Sequence, residues 1–298
     1  MSKNTPLVSV GIPVCNGIDV IQRCIDSIIN QTYENLEIII VDDCSSDGTK
    51  ELLESLSVNY NFRPIIQENK GKTAARNRGI KESKSDIIMI TDADMIGHPK
   101  LIETHVNAHK SVKVPTCFEG LTYNLTKLEW PTTQDNLTPY IQKNYKNNAK
   151  LGWFYFLTGN ISFPKEVFLS ENGFSEEFKG YGWEDLELGY RLAKKKVPLY
   201  YLKSAINYHY HVITKDEEIN RNIKKGESAK IFLALHPELK WFLGLNPISA
   251  WIFPNIRKSG KIYHFFEKIC YRSSNKILHE IGFWFLKEYH YLLGLINS

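Results

Sequence analysis

Two runs of aliphatic residues that each stop on carboxylates constrain this chain more than any other feature. Leu36 to Val41 (LEIIIV) ends at Asp42-Asp43, and Ile87 to Thr91 (IIMIT) ends at Asp92-Ala93-Asp94. A largely apolar run of this length reads as a strand buried on both faces, as in a parallel sheet covered by helices. An earlier run, residues 7–15 (LVSVGIPVC), ends at the turn signal Asn16-Gly17. Helical patterns fall between these runs. Ile21, Ile25, Ile28 and Ile29 share one face, and Leu52, Leu53 and Leu56 share another after the helix start at Ser45-Ser46-Asp47-Gly48. A third strand is expected near Pro64 to Gln67 and a helix over Thr73 to Lys84. This alternation predicts an α/β fold, a Rossmann-like and mostly parallel sheet flanked by helices. In such sheets ligands sit at the carboxyl ends of strands, which is where both acid groups fall.

The second half is less regular. Residues 115–150 read as a polar, loop-rich stretch with a strand near Glu119 to Leu125. Residues 157–163 and Leu199 to Val212 read as strands, and Glu184 to Lys195 as a helix. From about Ser228 the character changes: Trp241, Phe242, Trp251, Phe253, Phe265, Phe266, Phe283, Trp284 and Phe285 are interleaved with Lys and Arg. The expected division is a catalytic domain over residues 1–227 and a helical C-terminal extension over 228–298. Such an extension packs on the catalytic domain, forms a homodimer, or lies as a peripheral element on an anionic membrane surface. The uncharged segment from Trp241 to Ile256 is shorter than the roughly 20 residues of a membrane span and is interrupted by Pro247 and Pro254.

Five scattered cysteines with no C-x-x-C pair argue against a disulfide framework or a zinc site and fit a reducing, cytoplasmic setting. No charged stretch precedes an apolar one at the N-terminus, so no secretory signal is expected. A net charge of +4 gives no reason to expect a nucleic-acid partner and suits small anionic ligands.

Three clusters carry chemistry. Two carboxylates spaced i, i+2 at a strand end reach one site, and Asp92-Ala93-Asp94 has that form. A hard divalent cation held there would neutralise a diphosphate. Taken alone the triplet is weak, because acids at strand ends are often caps or turn formers. Asp42-Asp43 ends an earlier strand, and strand-end acids in doubly wound folds often bind ribose or base donors. Gly180-Tyr181-Gly182-Trp183-Glu184-Asp185 offers in Trp183 an aromatic face for a sugar, although taken alone this ring reads first as a core aromatic, and in Asp185 a carboxylate able to take a proton from an attacking hydroxyl, or simply a helix cap. Tyr208-His209-Tyr210-His211 alternates, so in a strand both imidazoles share a face, and one of them is suited to complete coordination begun by Asp94.

In order and spacing these pieces resemble the GT-A glycosyltransferases of family two. The carrying segments are residues 8–17 (VSVGIPVCNG), 27–49 (SIINQTYENLEIIIVDDCSSDGT), 68–80 (ENKGKTAARNRGI) and 87–95 (IIMITDADM). Residues 159–192 are similar to bacterial polysaccharide-forming members and to the galactosyltransferase C-terminal region. The resemblance covers about residues 7 to 215. It implies an inverting transferase that moves a sugar from a nucleotide-sugar, a UDP-sugar first, to a hydroxyl of a glycan, lipid-linked or peptide acceptor, with Mn2+ or Mg2+. By position it implies that Pro13 and Asp43 contact the nucleobase with Asp42 beside them, that Arg76 completes the donor site, and that Asp92 lies near the ribose and sugar. It makes Asp94 the principal metal ligand, Asp185 the base, Glu184 with Trp183 acceptor contacts, and His211, ahead of His209, a further metal ligand. The sequence departs from the pattern at Cys15, where an aromatic is common, and in its short Trp-Glu-Asp motif.

Two other readings compete. A nucleotidyltransferase would show a basic residue in a Gly-rich N-terminal loop, and GIPVCNG has none. A lectin-like or scaffold protein on the same fold would be expected to have lost the acids, which are all present.

Overall fold

The computed structural model describes residues 5–131, 137–139, 145–245, 253–257 and 260–296. The chain divides into two compact units, one of residues 1–176 with 184–212 and one of residues 177–183 with 213–298. The boundary expected at residue 228 falls inside a continuous helix (Lys215–Leu235), so the break at residue 213 precedes the aromatic-rich stretch rather than coinciding with it. Trp251 and the stretches 132–136 and 140–144 of the expected loop region lie outside the described residues.

The first unit is built on a sheet of nine strands: β1 (Val8–Val14), β2 (Leu36–Asp43), β3 (Arg63–Gln67), β4 (Ile87–Ile90), β5 (Met95–Gly97), β6 (Cys117–Leu125), β7 (Thr138–Pro139), β8 (Ile161–Pro164) and β9 (Leu199–Tyr210). Their order is β3-β2-β1-β4-β8-β6-β9-β5, with β7 paired to β6. The first four strands in this order are parallel, as their apolar runs imply. Beyond β4 the sheet is mixed: β8 runs antiparallel to β4 and β6, while β9 runs parallel to β6 and antiparallel to β5. β1 and β2 have buried interiors, so their hydrophobic side chains contribute to both faces.

Helices α1 (Ile21–Ile29), α2 (Thr49–Ser57), α3 (Lys72–Lys81), α4 (Leu101–Ser111), α5 (Lys165–Ser170) and α6 (Glu184–Lys194) accompany the sheet. α1 buries Ile21, Cys24, Ile25 and Ile28, the spacing of a single apolar stripe. α3 is unusual in burying polar side chains, Arg76 and Asn77, alongside Ala74 and Ala75. Asn77 is fully engaged: its amide nitrogen donates to Phe174 O at 2.9 Å and its oxygen accepts from Phe174 N at 3.0 Å.

Sequence periodicity alone leaves out α4, whose inner face carries two histidines. His109 Nε2 lies 2.8 Å from Ser162 Oγ, Ser162 Oγ lies 2.8 Å from His105 Nδ1, and His105 Nε2 lies 3.0 Å from Asn160 Oδ1. Neutral rings satisfy this chain when both carry the proton on Nε2 and Ser162 donates to His105. Burial lowers His105 to about 4 and His109 to about 3, the latter further depressed by His105. The unfolded chain takes up two protons near pH 6.5 that the folded one refuses. Stability from these groups is therefore full above about pH 6.5 and is lost as the pH falls from there through 4 to 3. Chemical denaturation at pH 7.5 and pH 5 is expected to show a lower midpoint at pH 5, by an amount on the order of a few kcal/mol. The variant His109→Gln is expected to flatten that dependence. An unchanged slope in the variant would remove this cause.

The second unit is helical, with α7 (Lys215–Leu235), α8 (Lys261–Arg272) and α9 (Lys276–Ile296). Thr214 and Glu217 form a capping box that starts α7. α7 and α9 approach backbone to backbone through glycines. A Cβ on Gly226 would lie 2.1 Å from Tyr291 O, and one on Gly294 would lie 2.1 Å from Ile223 O. No helix of the described residues is long and apolar enough to cross a membrane.

Candidate active site

The carboxyl ends of β1, β2 and β4 meet at a cleft of about 280 Å3 lined by Pro13, Cys15, Asn16, Asp43, Lys72, Ala75, Asp92 and Asp94, among others. The loops after β1 and β2 brace its lip. Asn16 Oδ1 accepts from Ser46 N at 2.8 Å, and Asp47 accepts from Ile18 N at 3.0 Å and Thr49 N at 3.0 Å.

The two acids that end β2 have different tasks. Asp43 accepts from Gln67 Nε2, Lys70 N and Gly71 N, each at 2.8 Å, and so holds the turn that starts α3. Asp42 is fully buried and does not line the cleft; one of its oxygens accepts from Ser45 N at 2.9 Å.

Asp92 lies between two cations. Lys72 Nζ is 3.1 Å from Oδ2, and Arg76 Nη2 is 2.9 Å from Oδ1. Burial alone would raise this carboxyl, but Lys72 and then Arg76 hold it well below the usual carboxylate range. Arg76 also reaches Glu184 Oε1 at 2.8 Å, and its side chain is 1% exposed. Glu184, expected beside the acceptor, is thus the second counter-ion of a buried arginine. Asp185, next in the chain and half-buried, is raised to about 7 by burial and by Glu184.

Register explains the third cluster. β5 begins directly after Asp94 and pairs Met95 with His209, and Tyr210 N donates to Asp94 O at 2.9 Å. The end of β9 is thereby pinned beside Asp94. His209 Nε2 lies 3.3 Å from Asp94 Oδ2, and the rings of His209 and His211 stack at 4.8 Å. One ligand atom from each of Asp94, His209 and His211 falls within 4.8 Å of the others. Both histidines, not His211 alone, belong to this cluster.

Among the described residues, four buried side-chain polar atoms lack a hydrogen-bond partner: Asp42 Oδ2, Arg76 Nε, Asp94 Oδ1 and Glu184 Oε2. All four belong to residues that the sequence nominates. An orphaned buried polar atom costs about 1–3 kcal/mol, and of these four residues Asp94 is the one that lines the cleft. The Asp94 carboxylate beside two imidazoles fits a divalent cation, and a carboxylate with two nitrogens suits Mn2+ better than the all-oxygen shell Mg2+ favours.

Trp183 follows the core reading of its ring rather than the acceptor contact that the resemblance implies. It belongs to the second unit, where its Nε1 donates to Lys225 O at 2.9 Å and its ring meets Phe232, Phe242 and Tyr291. Lys225 Nζ lies 5.1 Å from its centroid. The faces on which a sugar would stack are engaged in packing. Gly182 and Trp183 both have positive φ, 86° and 77°, so strain is stored immediately before Glu184.

Two residues escape a reading of the sequence. Lys72 lines the cleft and bridges to Asp92. Glu119 on β6 is 1% exposed and accepts from Leu157 N at 3.2 Å. Burial first, with Asp185 contributing, pushes its carboxyl well above the ordinary range.

A parallel half-sheet with this cleft at its carboxyl ends, extended by a mixed half that returns two histidines to Asp94, defines a GT-A transferase. The chain belongs to glycosyl transferase family 2, whose profile matches residues 9–169. A second profile, described as the N-terminal domain of galactosyltransferase, matches residues 138–215, which contain the shorter stretch 159–192 expected to be similar to the galactosyltransferase C-terminal region. Among curated relatives, validoxylamine A glucosyltransferase of Streptomyces hygroscopicus subsp. jinggangensis is 26% identical over 227 residues, covering 66% of this chain and 54% of its own length. The chain thus spans about half of that relative. Among solved structures, a Pyrobaculum calidifontis mannosyltransferase in complex with GDP-Man and Mn2+ superposes with a TM-score of 0.65 at 16% identity, covering 99% of this chain and 89% of its own. GalNAc-T7 with UDP, GalNAc and Mn2+ does so at 0.60 and 17%, covering 84% and 54%. The likenesses to solved structures establish the fold, and the profile match establishes the family.

Proposed function

We propose that this enzyme is a metal-dependent, inverting glycosyltransferase that moves a sugar from a nucleotide-sugar, a UDP-sugar first, to a hydroxyl of a glycan acceptor in cytoplasmic polysaccharide or glycoconjugate synthesis. The observation that carries the reading is the cluster of Asp94, His209 and His211, with one ligand atom of each within 4.8 Å of the others, at a cleft that Asp94 also lines.

Pro13 and Asp43 line the part of the cleft that would take the base, and Asp92 the part that would take ribose and sugar. Asp94, His209 and His211 would hold the cation. A bound divalent cation supplies charge neutralisation on the departing diphosphate. Asp185, near 7, is poised to accept a proton at neutral pH. The acceptor O–H gives its proton to the Asp185 carboxylate as its oxygen bonds to the anomeric carbon. The bond from that carbon to the phosphate oxygen breaks, and the nucleoside diphosphate leaves with the electron pair. Attack opposite the leaving group inverts the anomeric centre.

A screen of UDP- and GDP-sugars, reading released nucleotide with Mn2+, tests the reading. Turnover is expected with a UDP-sugar and is expected to fall roughly 10²-fold or more on chelation or in Asp94→Asn. Undiminished turnover in chelator would overturn the metal. Turnover confined to GDP-sugars would overturn the donor. A product with retained configuration by NMR would overturn the inversion.

A further inference from the structure

The outer face of the α8–α9 hairpin is apolar and uncovered among the described residues. Ile262 and Phe265 on α8 are exposed, as are Ile277, Leu278, Ile281 and Trp284 on α9, with Ile277 at 72% and Trp284 at 62%. Ile277, Ile281 and Trp284 are spaced i, i+4, i+7 and so share one helix face. They border an open depression of about 430 Å3 together with Lys276 and Glu280. Clusters of exposed large apolar side chains mark interaction surfaces.

Charge identifies the occupant. Lys261, Lys268, Arg272 and Lys276 on these helices are exposed and make no ion pair among the described residues. Two of the acids nearby have imidazole neighbours: Glu267 lies 3.1 Å from His264, and Glu280 lies 3.5 Å from His279. Glu288 is exposed. From residue 213 onward the chain holds 13 Lys and Arg against 8 Asp and Glu, whereas residues 1–212 hold 24 against 25. The whole net positive charge therefore resides in this part of the sequence. A second copy meeting this face symmetrically would bring like charges together. An anionic bilayer surface meets both features, taking up Trp and Ile side chains at its boundary and pairing headgroups with Lys and Arg.

We propose that the α8–α9 face is a docking surface for an anionic lipid bilayer, on which the helices lie without crossing it. The surface contains none of the residues assigned to the active site, so it stands or falls separately from the catalytic reading.

The test uses the full chain and vesicles of phosphatidylcholine with and without phosphatidylglycerol. The protein is expected to sediment with the anionic vesicles and to be released by salt. Brominated lipid is expected to quench its tryptophan emission, with most of the quenching absent in Trp284→Phe. Ile281→Asp combined with Trp284→Asp is expected to lower the bound fraction about tenfold, since each buried apolar side chain contributes substantially to partitioning. Lys268→Glu combined with Arg272→Glu is expected to abolish the preference for phosphatidylglycerol. Both variants are expected to keep the wild-type circular dichroism melt and metal-dependent nucleotide release. Equal sedimentation with neutral and anionic vesicles would overturn the proposal. So would a dimer in analytical ultracentrifugation that Ile281→Asp dissociates, because it would give the face to a second copy.

Discussion

Asp185→Asn is expected to lower sugar transfer roughly 10²- to 10⁴-fold, the usual contribution of a positioned general base. Its side chain caps nothing beyond its neighbour, accepting from Leu186 N at 2.8 Å, and the asparagine oxygen keeps that bond. Donor affinity, read by calorimetry, is expected to stay within a fewfold of wild type. The pH profile separates a base from a structural residue. With Asp185 near 7, wild-type kcat/KM rises with pH through that value and then levels, because the carboxylate is the active form. In the variant that limb is absent. Stability points the same way. A carboxyl whose folded pKa is raised above its unfolded value contributes stability that is present below the unfolded value and lost as pH rises through the folded one. The asparagine has no such loss, so the variant is expected to melt no lower than wild type at pH 8. Full transfer activity in Asp185→Asn, or loss of activity accompanied by loss of fold, would remove the assignment.

The second large effect concerns Arg76. Its guanidinium, 1% exposed, is the shared counter-ion of Asp92 and Glu184. Arg76→Met preserves much of the side-chain volume while leaving two largely buried carboxylates with reduced compensation. Removing one partner of a buried ion pair costs about 3–5 kcal/mol. The variant is expected to lose about that much in urea denaturation at neutral pH. The deficit is expected to shrink as the pH falls, because Asp92, no longer held down by Arg76, then takes up its proton at a higher pH than in wild type. Arg76→Met with Glu184→Gln is expected to recover part of the loss by removing one stranded charge. A single variant within about 1 kcal/mol of wild type would mean that Lys72 alone suffices for Asp92.

How much of this is visible in the sequence depends on how each residue interrupts its surroundings. Asp42, Asp43, Asp92 and Asp94 are legible because carboxylates stand out at the end of the apolar runs they terminate. The parallel half of the sheet is legible for the same reason: its buried strands read as continuous. β5 is not, since three residues show no periodicity, and its pairing with β9 is what brings both histidines to Asp94. α4 is hidden because His105 occupies a buried position of its inner face and His109 lies against Ser162, so the apolar stripe reads as broken. Lys72 is indistinguishable in sequence from Lys70 and Arg78 around it, and only the start of α3 turns it toward Asp92. Glu119 sits in a strand where an acid is expected to face solvent, and nothing in its neighbours announces a buried one. Trp183 read alone is a core aromatic and read within its motif a sugar platform, and the packing of the second unit uses the ring in the first way.

The strand order has a consequence for the order in which the molecule can be made. β1 to β4 are complete by residue 90 and pair only with one another and with β8, so the half carrying Asp43 and Asp92 assembles from the first part of the chain to emerge. β6 is different. Its parallel partner β9 begins at Leu199, and that ladder cannot close until the intervening chain exists. Pairings so distant in sequence carry a large loop-closure cost before any contact repays it. During synthesis, Asp94 therefore waits without its two imidazoles for more than a hundred residues, and the Asp94–His209–His211 cluster is among the last features of the first unit to be completed.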